Sequence, residues 1–114
     1  MFAGTNITIG NETYVVPPIS LGQLRNGLMT KLKQHDLLVE GLKDDTGNWF
    51  DILVLKGEII LDALHRNYPD FDEAKLFSWL DVGNVGPLWA VIIGASGFTP
   101  GETQAAGTDL VNGT

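Results

Sequence analysis

From Trp49 to about Asn67 the chain carries large apolar side chains on two sides of one helix, and that demand decides most of what can be built around it. At about 100° per residue, Phe50, Leu53, Val54, Gly57, Ile60, Leu61 and Leu64 fall on a main face, while Ile52, Leu55, Ile59 and Ala63 form a narrower stripe nearly opposite. Asp51, Glu58, Asp62 and His65 fill one flank between the two, and Lys56 sits on the other. A helix apolar on two sides is either central in a bundle or half committed to a partner. The main face is expected to be core. The stripe Ile52, Leu55 and Ile59 borders Asp51, Glu58 and Asp62, so it has the make-up of an apolar contact with a charged rim and is a candidate partner-binding surface. Core burial and self-association are the competing readings of the same stripe.

The remaining segments supply candidates to surround that helix. Asn6 to Ile9 and Thr13 to Val16, two β-branched stretches about a Gly10-Asn11 turn, predict a short hairpin, and Pro17-Pro18 ends the pairing by removing backbone donors. Ser20 is a good N-cap for a helix whose stripe runs through Leu21, Leu24, Leu28, Leu32, His35, Val39 and Leu42, with a break expected near His35-Asp36. The polar stretch from Lys43 to Asn48 reads as a loop. Tyr68-Pro69-Asp70 ends the central helix, and Asp72 caps a short third helix with Leu76, Phe77 and Leu80 inward. Gly83 suits a left-handed C-cap, and Asn84 caps a fourth helix with Leu88, Val91 and Ile92 inward. Thr99 to Thr114 offers only Leu110 and Val111 as large aliphatics and reads as a flexible tail. The expected fold class is therefore mainly α: one helical domain over residues 1–98, with about four helices and an N-terminal two-stranded β-hairpin, followed by the tail at 99–114.

Composition narrows the function classes. At 114 residues the chain can bury roughly two-thirds of its unfolded surface, enough for one core without staples. It has no cysteine, which excludes disulfides, thiolate metal sites and a cysteine nucleophile. The longest apolar run, Leu88 to Ile93, is far short of the roughly 20 residues of a membrane span, and the first positive residue is Arg25, so neither a span nor a signal peptide is expected. The net charge is −7, and residues 44–81 hold nine acids against Lys56, Arg66 and Lys75. An acidic body repels phosphate backbones, which argues against nucleic acid and for a basic or hydrophobic protein partner.

Residues that could carry chemistry are few. Glu58, Asp62 and His65 share a helical face at i, i+4 and i+7, a spacing that could offer ligands to a divalent ion, but one helix seldom completes a coordination sphere. A solvated acidic face with a histidine near the helix C-terminus is the simpler reading, and no metal or cofactor is expected. His35-Asp36 has no serine in a Gly-x-Ser-x-Gly elbow to serve, and a histidine on the Leu28, Leu32, Val39 face reads as packing. Gly94 to Gly97 lacks the lysine and following helix of a phosphate loop. Trp49, Trp79 and Trp89 are core or interface anchors. The chain is expected not to be an enzyme.

Four blocks carry a resemblance. His65-Arg66-Asn67-Tyr68-Pro69-Asp70, then Leu80-Asp81-Val82-Gly83-Asn84-Val85-Gly86, together with Val16-Pro17-Pro18-Ile19-Ser20-Leu21-Gly22-Gln23-Leu24 and Val91-Ile92-Ile93-Gly94-Ala95-Ser96-Gly97, resemble the tail assembly chaperones of long-tailed double-stranded-DNA bacteriophages in order and spacing over residues 16–97. The resemblance implies a non-enzymatic protein of the host cytoplasm. Such a protein binds the tape measure protein, helps recruit tail tube subunits and is absent from the finished virion. It brings no catalytic residues, and the segment from Lys43 to Trp49 and the tail after Gly97 depart most from the shared blocks. A structural adaptor retained in the virion, such as a head-tail connector, is the alternative.

Overall fold

The computed structural model describes residues 1–42 and 48–97; the polar loop and the tail expected from the sequence fall largely or wholly outside the described residues. Strands β1 (Thr5–Ile9) and β2 (Glu12–Val16) form an antiparallel hairpin in which Ile9 pairs with Glu12 and Thr5 with Val16. The loop is Gly10-Asn11, with Gly10 at φ +63 and Asn11 on the negative side, the arrangement of a type II′ turn that matches strand twist. Alternation then sends Ile7, Ile9, Tyr14 and Val16 into the core.

The first helical run begins with α1 (Leu21–Gln23), where Ser20 and Gln23 cap one another reciprocally: Gln23 N–H donates to Ser20 Oγ at 3.0 Å and Ser20 N–H to Gln23 Oε1 at 2.8 Å. A kinked segment follows over Leu24–Leu28, and α2 (Met29–Gly41) continues without interruption through His35 and Asp36. The break expected at His35-Asp36 is thus displaced to Gly27, whose φ of +130 only glycine tolerates readily. The central helix α3 spans Trp49–Leu64, and α4 (Glu73–Trp79) is capped by Asp72, whose carboxylate accepts from Ala74 N–H at 3.1 Å.

Helix α5 (Val85–Ala95) starts at Asn84, but the Asn84 side chain does not cap it. Its Oδ1 accepts from Asp81 N–H and its Nδ2 donates to Trp79 O, while Asp81 Oδ1 accepts from the Gly83 and Asn84 amides. Gly83 does not adopt the left-handed conformation, because this reciprocal Asp81–Asn84 turn closes α4 without it. The buried face of α5 is Val85, Trp89, Ile92 and Ile93; Leu88 is partly buried and Val91 exposed, a rotation of about one residue from the expected phase.

Helix α3 is the centre. It packs against α2 and α5, and it also touches α4 and β2. Ile59, Ile60, Ala63 and Leu64 are sealed almost completely, joined by Leu28 and Leu32 from the first run, Leu76 from α4 and the inner residues of the hairpin. Both faces of its second half are therefore spent on the core, which makes a buried aliphatic there costly to shorten.

The hairpin is held by the residues just after α3. The Asn67 side chain accepts from Phe2 N–H at 2.8 Å and donates to Phe2 O at 2.8 Å and Val15 O at 2.9 Å. Val15 N–H donates to Tyr68 Oη at 2.8 Å, and Arg66 donates to Pro18 O at 2.6 Å. Tyr14 meets Tyr68 and Phe71 edge to face, each with ring centroids 5.1 Å apart. Side chains thus occupy the outer edge of β2 at Val15, where an unpaired strand would otherwise present its backbone. Asn67→Ala is expected to lower unfolding stability by about 1–3 kcal/mol by stranding these backbone groups. Urea melts give the magnitude, and hydrogen exchange should show hairpin amides losing protection before those of α3.

Candidate functional site

The three residues singled out as a partner-binding stripe lie inside the protein. Ile52, Leu55 and Ile59 are 5%, 8% and 0% exposed, and Ile59 belongs to the main core cluster. Their burial has a physical cause: with α2 and α5 both laid against α3, the side opposite the expected main face is covered as well. The apolar surface left open belongs instead to the beginning of that main face. Phe50 is 63% exposed, and Leu53 and Val54 are only partly buried.

These three residues form one bank of an apolar cleft. Phe77 of α4 and Leu80 just after it form the other, and Asp81, Val82 and Val85 close the end where α4 turns into α5. Val82 is 66% exposed, so the mouth is apolar on both sides. The cleft volume is about 210 Å³. Gly57 allows the banks to approach: a Cβ there would lie 2.8 Å from Phe77 Cζ and 3.3 Å from Leu80 Cδ1, so a larger residue would displace the Phe77 ring. Asp81 lines the cleft, and Asp51 stands exposed beside Phe50.

A second feature is polar and buried. His35 and Asp36, 3% and 6% exposed, meet side chain to side chain with Nδ1 to Oδ1 at 3.1 Å, and Lys56 Nζ lies 2.9 Å from His35 Nε2. A carboxylate accepts and an ammonium donates, so the imidazole is neutral with its proton on Nδ1. The ring stacks on Trp89 at 4.6 Å between centroids, and Lys56 Nζ sits 4.5 Å from the same indole centroid. Trp89 Nε1 is buried with no hydrogen-bond partner among the described residues, so the indole is present for its faces.

Helical spacing puts His35 on an inward face but carries no sign of its contact with Lys56. The two are 21 positions apart on different helices, and only the α2–α3 packing brings them together. No serine contributes to this cluster among the described residues.

The other candidates are engaged structurally. Glu58 and Asp62 both face Lys31, at 3.9 and 2.8 Å, while His65 Nε2 lies 3.1 Å from Phe71 O. No metal-ligating cluster occurs among the described residues. A cavity of about 350 Å³ beside the Gly27 kink is lined in part by Lys31, Asp62, His65 and Arg66, each already bonded within the protein. Of the indoles, Trp89 is buried, Trp79 partly so and Trp49 exposed. No helix among the described residues is long and apolar enough to cross a membrane.

Burial, and secondarily the Lys56 charge, hold the His35 pKa below its usual 6.5 against the opposing pull of Asp36. Burial likewise lowers the Lys56 pKa, opposed by Asp36. Between the folded and unfolded histidine values the unfolded chain binds a proton that the folded chain does not. The His35 contribution is therefore complete above about pH 6.5 and is lost as pH falls below it. Urea midpoints measured from pH 7.5 downward are expected to fall through this window in the wild type, with a shallower slope in His35→Gln.

No protein family, no curated protein and no solved structure matches this chain.

Proposed function

We propose that the chain is a non-enzymatic assembly chaperone of the phage tail type, which binds the tape measure protein, helps recruit tail tube subunits and leaves before the virion is complete. The observation that carries this reading is the open apolar cleft between the start of α3 and α4, on a chain of net charge −7. Client binding needs exposed apolar surface, and an acidic body keeps the binder itself dispersed. The resemblance supplies the client's identity, and its blocks have identifiable structural work: capping α1, holding the hairpin, turning α4 into α5 and, through Ser96 Oγ, accepting from Ile19 N–H at 2.9 Å.

The reading is tested by co-expressing the tagged full chain with the tape measure protein encoded beside it, and by immunoblotting purified virions. Capture of a soluble tape measure protein with no signal from virions is expected. Retention in virions at ring-like copy number would replace this reading with the structural adaptor.

A further inference from the structure

We propose that the occupant of the cleft is an amphipathic helix of a partner protein, with apolar anchors three or four residues apart and lysine or arginine beside them. This rests on the reading of the chain as a binder of a protein client. The cleft is small. A volume of about 210 Å³ lies below the roughly 300–1,000 Å³ typical of small-molecule pockets, whereas side-chain anchors projecting from a helix need less room.

Backbone chemistry bears on the form of the occupant. The cleft walls are helices and a turn, so there is no strand edge for an extended peptide to pair with. A segment entering an apolar cleft must satisfy its own backbone, as a helix does. The walls also present Phe50, Leu53 and Val54 on one side and Phe77 and Leu80 on the other, at the i, i+3 and i+4 spacings that interdigitate with the ridges of a third helix.

Charge narrows the partner further. Asp81 lines the cleft, and no lysine or arginine lines it among the described residues. A second copy of this chain brings a net charge of −7, and the chain's own Leu110-Val111 brings Asp109 with it. Both meet like charge, whereas a basic flank meets its complement.

The test uses the full chain and two labelled synthetic helices with identical leucines at i, i+3, i+4 and i+7. One carries lysine and the other glutamate at the flanking positions, and binding is read by fluorescence anisotropy. The lysine helix is expected to bind at least tenfold tighter. Val82→Asp should weaken it at least tenfold, while Leu21→Asp, an equal charge change at an exposed residue outside the cleft, should weaken it less than threefold. Equal affinity for the two helices, equal loss in the two variants, a dimer by sedimentation that Val82→Asp dissociates, or tighter binding in Leu110→Asp/Val111→Asp would each overturn the proposal. Tape measure capture by the same variants separates the two claims. A wild-type chain that captures none defeats the functional reading, whereas capture untouched by Val82→Asp defeats only the cleft assignment.

Discussion

Everything in this fold answers to the burial of α3 on more than one side. A helix whose second half carries Ile59, Ile60, Ala63 and Leu64 on adjoining and opposed faces cannot be satisfied by one neighbour, so α2 and α5 both lie against it and the hairpin and α4 complete the enclosure. The hairpin, two strands that would be marginal alone, persists because the chain leaving α3 through Arg66, Asn67 and Tyr68 bonds to its outer edge. One short segment thus links the end of the central helix to the start of the chain.

The same packing produces the two features of functional interest. Pressing α2 and α5 against α3 draws His35, Lys56 and Trp89 together, and the polar groups survive burial because acceptor and donor alternate from Asp36 through the imidazole to the ammonium. At the other end of α3 enclosure stops short. Its first turns reach α4 only at the foot of a cleft, where Gly57 admits the Phe77 ring, and above that point Phe50 and Val82 remain open to water. The surface offered to a partner is a continuation of the core face, left uncovered because α4 is short.

What the sequence made legible follows from how local each signal is. The hairpin and the Ser20 and Asp72 caps depend on neighbours a few residues apart, and they stand as read. The burial of Ile52, Leu55 and Ile59 was not legible as a choice, because two apolar stripes on one helix do not say which neighbour arrives on which side. The break at Gly27 was misplaced because three glycines in the run carry equal intrinsic cost, and only the packed chain shows which one reaches positive φ. Gly83 offered a left-handed cap that the Asp81–Asn84 turn made unnecessary. The His35–Lys56 contact spans two helices, beyond the reach of any spacing rule within one.

The account stands on α3 being closed in its second half and open at its start, and native-state hydrogen exchange reads that gradient residue by residue. Amides from Ile59 to Leu64 should exchange only through global unfolding, with free energies equal to that of the whole chain, while amides in the first turns around Phe50 to Val54 exchange through smaller local openings. Uniform protection along the helix, or amides at Ile59 to Leu64 that open before those of α5, would contradict it.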